Sequence, residues 1–175
     1  MDINYSFSHE YDEEQFEVLV PEKINSLPKK LREDSCVAPL IEYSGGLQDW
    51  FLDEQRITGL ERKLGFREAA YLQGSMVVIG SDNAIYEKYM ILCNEDTKKY
   101  YKINLPSCYR PDIDRNLPDQ KNVGLSGFSC FLDLRLMEMG RYYLYAMVKD
   151  KISGQYILRK TSRWIERKNK EMERT

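Results

Sequence analysis

Apolar and polar residues alternate in the second half of the chain, and this two-residue period constrains the fold more than any other feature. In Phe128–Arg135, one face carries Phe128, Cys130, Leu132 and Leu134, while the other carries Ser129, Asp133 and Arg135. Successive side chains of a β-strand point to opposite faces of a sheet. The segment therefore predicts a half-buried strand.

The same pattern recurs in short segments from about Val37 onward. Two of them have a clear predicted inner face, formed by Leu72, Gly74, Met76 and Val78 in one and by Tyr142, Leu144, Ala146 and Val148 in the other. Met90 with Leu92 and Tyr101 with Ile103 suggest two more strands, and Gln155–Lys160 can close the sheet. Turn-forming residues such as Gly80–Asn83 and Ser153-Gly154 separate these segments. Short strands with frequent turns are typical of an all-β sandwich or barrel. We predict an antiparallel β-sandwich.

The length of 175 residues favours one main domain with extensions. We place the sandwich at residues 36–161, after an acidic N-terminal extension (1–35) and before a C-terminal helical tail (162–175). Within the extension, Glu22–Glu33 predicts a short helix broken at Pro28. The tail is rich in strong helix formers. Residues 47–64 fit either a loose helical stripe or a strand followed by an irregular connection, and we favour the second.

Composition excludes several classes of function. The formal net charge is −2, so no global field attracts nucleic acid. The four cysteines contain no Cys-x-x-Cys pair, and the single histidine, His9, completes no zinc site, so we expect no metal. No signal peptide or transmembrane span is recognisable, which predicts a cytoplasmic protein with reduced thiols.

The sequence also contains no recognisable catalytic motif. No serine or cysteine nucleophile pairs convincingly with His9, and no phosphate-binding glycine-rich fingerprint is present, so we assign neither catalytic residues nor a cofactor. Gly124-Leu125-Ser126-Gly127 fails the spacing of a nucleophile elbow by one residue. We expect no catalytic activity from this chain alone, although a fold never excludes an enzyme.

Leu136-x-x-x-Gly140-x-Tyr142 precedes one of the predicted strands. In immunoglobulin-like sandwiches, a tyrosine at such a place turns back across a corner and hydrogen-bonds to the backbone upstream. Gly140 would let the chain turn, and Leu136 would pack on the ring. Because a buried tyrosine hydroxyl needs a partner, we expect Tyr142 to be structural.

Four motifs in a fixed order suggest a family. GSMVVIGSDN, YEKYMIL, YRPDID and GFSCFLDLRLMEMGRYYLYAMVKD follow one another along the chain. In this order they resemble the immunoglobulin-like β-sandwich modules that accompany bacterial cell-surface glycosyltransferases and teichoic-acid-type polymerases. The resemblance covers residues 68–165. It departs at Gly74-Ser75, where such modules often have Gly-Trp, and no transferase domain accompanies the module. It implies an accessory role, with catalysis elsewhere.

Arg110, Asp112 and Asp114 lie in the loop with the most polar features. In an extended segment, Asp112 and Asp114 would share a face, flanked by arginines. Carboxylates accept hydrogen bonds from sugar hydroxyls or coordinate hard cations, so we consider these three residues as ligand-binding candidates. The alternative, which we favour, is an internal ion-pair network in which Arg110 holds the crossover between the sheets.

Tyrosines on predicted outer faces are the second candidate, chiefly Tyr143 and Tyr145, with Tyr86, Tyr89, Tyr100 and Tyr101. Such rings stack on sugars or anchor protein interfaces, but they also form cross-strand pairs that stabilise a sheet, the reading we favour here. Trp164 in the predicted helical tail is a partner-binding candidate. That helix would dock on a protein, on an anionic membrane surface or, as we favour, on its own domain.

The leading functional hypothesis is a non-catalytic interaction module of a bacterial cell-surface glycopolymer system. Its partner would be a protein such as a glycosyltransferase or polymerase. The alternatives are a carbohydrate-binding module and, after it, a small carbohydrate-active enzyme.

Overall fold

The computed structural model describes residues 17–46 and 68–168. The strands are β1 (Val18–Leu19), β2 (Glu22–Ile24), β3 (Leu31–Glu33), β4 (Val37–Gly46), β5 (Ala69–Val78), β6 (Tyr86–Asn94), β7 (Tyr100–Asn104), β8 (Ser107–Cys108), β9 (Gly127–Asp133), β10 (Gly140–Asp150) and β11 (Tyr156–Arg167). One α-helix, α1, spans Pro111–Asn116, and 3₁₀ turns span Asn83–Ile85 and Val123–Ser126. The residues predicted at 47–64, like His9, lie outside the described part of the chain.

Two sheets pack face to face. The first has the strand order β1-β9-β5-β4, with β8 also paired to β9, and the second has the order β2-β7-β6-β10-β11-β3. Most neighbouring strands are antiparallel, whereas β1 runs parallel to β9 and β3 runs parallel to β11. The predicted all-β sandwich is confirmed, with mixed sheets in place of purely antiparallel ones.

The core lies between the sheets and contains the predicted inner faces. Its buried side chains include Leu72, Met76, Val78, Met90, Leu92, Phe128, Cys130, Leu132, Leu134, Leu144, Ala146 and Val148. Each fully buried large apolar side chain contributes about 1.5–3 kcal/mol relative to exposure. The two-residue period thus assigned these side chains to the correct face.

Tyr142 forms the predicted corner. Its hydroxyl donates to the Glu138 carbonyl at 2.9 Å, and its ring meets Tyr101 edge-on at 5.6 Å between centroids. Gly140 has φ +132°, a conformation that other residues rarely adopt. The expected contact from Leu136 is wrong, because this side chain is 75% exposed, whereas its neighbour Met137 is buried in the core.

The two predicted helices at the ends of the sandwich are wrong within the described residues. Glu22–Glu33 forms β2, a turn-containing connection and β3, because backbone pairing with β7 and β11 replaces local helix propensity. Ser162–Arg167 continues β11 because Ile165 is buried opposite Tyr142 while Trp164 points outward, which a strand achieves by alternation. Residues 169–175 of the predicted tail lie outside the described residues.

Cationic side chains join the two sheets. Arg159 donates to the carbonyls of Ser35 at 2.9 Å and Val37 at 3.1 Å. Arg163 donates to the carbonyls of Ile41 at 3.0 Å and Glu42 at 3.3 Å. These contacts hold β11 of the second sheet beside β4 of the first.

A buried lysine makes a further connection between the sheets. Lys88 on β6 donates to the Leu125 carbonyl at 2.8 Å and to Ser107 Oγ at 3.1 Å, and burial lowers the pKa of its ammonium group. Because Ser107 belongs to β8, this side chain ties the second sheet to the first and to the turn at Val123–Ser126.

Replacing Tyr142 with Phe should lower the free energy of unfolding by about 1–3 kcal/mol, because the Glu138 carbonyl loses its donor. The midpoint and slope of urea unfolding measure this change. Tyr143→Phe is the matched control on the outer face, where the change should stay within about 0.5 kcal/mol. Equal midpoints for Tyr142→Phe and the wild type would contradict the corner assignment.

Candidate functional site

Arg110 lies in a buried ion-pair network between the first sheet and α1. Its Nε donates to Asp112 Oδ1 at 2.9 Å, and its Nη2 donates to Asp112 Oδ2 at 2.7 Å. Both terminal nitrogens also bind the carboxylate of Glu42 on β4, with Nη2 at 3.2 Å from Oε2. The side chains of Arg110 and Glu42 are 7% and 5% exposed. The network therefore lies almost entirely away from solvent.

Helix α1 separates the two aspartates that an extended segment would place together. Pro111 is the first helical residue, where its fixed φ favours helix initiation. Residues two apart on a helix point in widely different directions, so the expected shared face is wrong. Asp114 Oδ1 instead accepts from the Gly124 backbone amide at 2.9 Å. A Cβ on Gly124 would lie 2.5 Å from Asp114 Oδ2, which favours glycine there.

The charge of Arg110 is neutralised by carboxylates of the same chain. The hydrogen bonds from Arg110 hold the pKa of Asp112 below its usual value, and those to Asp112 and Glu42 raise the pKa of Arg110. The guanidinium directs its donors at two carboxylates of its own chain. This geometry matches the ion-pair alternative for Arg110 and Asp112, while Asp114 holds the 3₁₀ turn at Val123–Ser126.

The outer face of the second sheet carries a cluster that we call the aromatic platform: Arg141, Tyr143, Tyr145, Lys160 and Trp164. Tyr143 on β10 pairs with Trp164 on β11, with ring centroids 6.2 Å apart. The guanidinium carbon of Arg141 lies 4.9 Å from the Trp164 ring centroid. Lys160 Nζ lies 5.5 Å from the ring centroid of Tyr143 and 5.7 Å from that of Tyr145. The platform thus brings Tyr143 and Tyr145, predicted as ligand-binding candidates, together with Trp164, predicted as a partner-binding candidate.

The remainder of this outer face is partly covered by the chain itself. Tyr89, Ile91, Met147 and Leu158 form a second buried cluster, against which Ile24, Leu27, Leu31 and Tyr145 pack. Tyr89 and Tyr101, which we expected to be exposed, are buried, and Tyr86 and Tyr100 are partly buried. Trp164, in contrast, is 45% exposed. Trp164 therefore gives the platform an exposed aromatic ring.

Sequence reasoning missed three residues of these two clusters. Glu42 lies 68 positions before Arg110, and no local pattern connects them. The sequence does contain an indication for Arg141 and Lys160. Each lies an even number of positions from an outward-facing aromatic residue of the same strand, and so faces outward too. A cation beside an outward aromatic residue favours a cation–π contact. Only strand pairing reveals which cation meets which ring.

The described residues, 17–46 and 68–168, contain neither a cluster of metal-ligating side chains nor a membrane-spanning helix. There, no three His, Cys, Asp or Glu side chains are placed to hold a metal ion. No helix in these ranges is long and apolar enough to cross a membrane. No disulfide joins the four cysteines, all of which lie in these ranges, and burial raises the pKa of Cys130 to about 12.

Comparisons of the chain with family models, curated proteins and solved structures found no match.

Replacing Arg110 with Met should lower the free energy of unfolding at pH 7 by about 3–5 kcal/mol, because Glu42 and Asp112 lose their buried cation. Arg32→Met is the matched control, since Arg32 and its ion-pair partner Asp34 are 46% and 29% exposed. That change should cost no more than about 1 kcal/mol. Urea unfolding of both variants measures the difference.

The Arg110 effect should depend on pH. The pKa of Asp112 is lowered in the native state, so ionised Asp112 contributes its full stabilisation of the fold above the ordinary carboxyl pKa of about 4. This stabilisation is lost as pH falls through the lowered native pKa. In Arg110→Met, protonation instead relieves the uncompensated carboxylates. The stability gap between variant and wild type should therefore narrow as pH falls, beginning above about pH 4, in unfolding series at decreasing pH. A constant gap would contradict the network.

Proposed function

We propose that this chain is a non-catalytic interaction module of a bacterial cell-surface glycopolymer system, with the aromatic platform as its contact surface. Tyr143 and Trp164, paired across β10 and β11 with Trp164 half exposed, are the observation that carries this proposal. Tyrosine, tryptophan and arginine are enriched among residues that dominate binding energy. In the proposed arrangement, a glycosyltransferase or polymerase performs the chemistry, and this module binds a component of the same system.

The motifs of the resemblance occupy positions that support an immunoglobulin-like module. In GSMVVIGSDN, the buried Asn83 accepts from the Val78 amide at 2.8 Å and donates to the Lys121 carbonyl at 3.1 Å, which fixes the turn after β5. In the last motif, Tyr142 closes a corner of the kind found in immunoglobulin-like sandwiches. These side chains serve the fold, and the platform stays available for binding.

The aromatic residues of the platform should control retention of one component of the glycopolymer system. The purified chain is immobilised and exposed to solubilised envelope of its native host, and bound proteins and polymers are identified. Trp164→Ala should weaken capture of that component about 30-fold, equivalent to about 2 kcal/mol at an interface hot spot. Tyr109→Ala is the matched control, because Tyr109 is 66% exposed outside the platform.

Two outcomes would contradict the proposed function. One is an identical set of bound components for the wild type, Trp164→Ala and Tyr143→Ala, after circular dichroism has shown that each variant folds. The other is turnover of a sugar nucleotide by the purified chain alone.

A further inference from the structure

The aromatic platform combines a stacking surface with ion pairs at its rim. The Trp164 ring has Arg141 against it and remains 45% exposed. Glu166 accepts Arg141 as an ion-pair partner at 3.9 Å, and Glu95 accepts Lys160 at 3.6 Å. All four charged side chains of these pairs are between 37% and 57% exposed. A ligand lying on Trp164 would therefore meet both donors and acceptors.

Charge balance narrows the class of ligand. Each cation of the platform has a carboxylate partner, so the two pairs together have no net charge. A surface that binds nucleic acid or another polyanion needs an excess of Lys and Arg to replace counterions. The platform lacks that excess among the described residues, which favours a neutral ligand.

The mixture of groups also distinguishes a glycan from a protein partner. Lysine and glutamate are depleted at the centre of a protein interface, whereas the ion pairs of the platform include Lys160, Glu95 and Glu166. A sugar ring presents apolar C–H faces that pack on an aromatic ring, and hydroxyls that both donate and accept. Arg141 and Lys160 supply donors, while Glu95 and Glu166 supply acceptors. Exposed ion pairs contribute little to stability, so these groups can exchange partners at small cost.

The platform is held in shape before any ligand arrives. Tyr143 pairs with Trp164, and Tyr145 pairs with Lys160, so two positions along β10 lie opposite four positions along β11. The extra residues form a β-bulge in β11. Thr161 Oγ1 donates to the Leu144 carbonyl at 2.7 Å inside this bulge. Arg163, on the opposite face, is fixed to two carbonyls of β4. Bulges redirect side chains, and this one sets the spacing of Lys160 and Trp164.

We propose that the aromatic platform is a binding site for neutral glycans, in which Trp164 stacks on a sugar ring and the two ion pairs bind its hydroxyls. This assignment rests on the proposed function, since it names the component that the contact surface takes. Tyr143 packs beside Trp164 with its ring tilted by 50°, and Lys160 lies near the rings of both Tyr143 and Tyr145.

An array of neutral oligosaccharides tests the assignment, followed by isothermal titration calorimetry with the best-binding glycan. The wild type should bind at least one neutral glycan, and Trp164→Ala should weaken that binding at least about tenfold. Trp164→Phe, which keeps a stacking ring, should retain most of the affinity. Tyr109→Ala should bind like the wild type. Absence of binding to every neutral glycan, or equal affinity of Trp164→Ala and the wild type, overturns the assignment.

Salt dependence separates a neutral glycan from an anionic ligand. Affinity for a neutral glycan should stay nearly constant between about 0.05 M and about 0.2 M salt, whereas polyanion binding falls steeply over this range. Inorganic polyphosphate serves as the anionic probe. Binding of polyphosphate in place of neutral glycans, lost in Trp164→Ala, would overturn the assignment but leave the contact surface intact.

A protein partner gives a third, distinguishable result. If Trp164→Ala abolishes capture of a purified, identified protein while no neutral glycan binds, the glycan assignment fails and the proposed function stands. If platform variants change neither protein capture nor glycan binding, both fail.

Discussion

Alternation along β10 is the constraint that links the core of this protein to its candidate binding surface. With Tyr142 buried and bonded to the Glu138 carbonyl, Arg141 and Tyr143 must point to the opposite face of the sheet. Pairing with β11 extends the constraint, because Ile165 enters the core opposite Tyr142 and Trp164 emerges opposite Tyr143. A one-residue slip would exchange the two faces, so the core and the platform share one register.

The inner faces were predictable because burial imposes the two-residue period directly on residue type. The inner faces of Phe128–Asp133 and Tyr142–Val148 enter the core as the period predicts, although Phe131 and Met147 on the opposite faces are buried as well. The segments that sequence reasoning assigned to helices carry weaker signals. Ser162–Arg167 contains residues that favour a helix in isolation, but its strand conformation comes from pairing with β10, a partner that local propensity does not reveal.

The candidate residues divide according to burial, which the sequence did not specify. Arg110 and Asp112 were ligand-binding candidates with an internal ion-pair network as the favoured alternative, and Glu42 completes such a network inside the protein. The platform contains the same kinds of charged group, but they lie in solvent beside Trp164. Breaking a buried ion pair costs much free energy, and a ligand has little access to it, whereas surface ion pairs exchange partners readily. Identical residue types thus serve the fold in one place and remain available for binding in another.

The arginines that join β11 to β4 have a consequence for association between molecules. A strand at the edge of a sheet offers free carbonyls to any passing chain and so invites aggregation. Arg159 and Arg163 already occupy the carbonyls of Val37, Ile41 and Glu42 on β4 and of Ser35 just before it. An incoming strand would have to displace two guanidinium groups and accept their charge nearby. The contacts that close one side of the sandwich therefore also disfavour the addition of a strand from another molecule to the edge of β4.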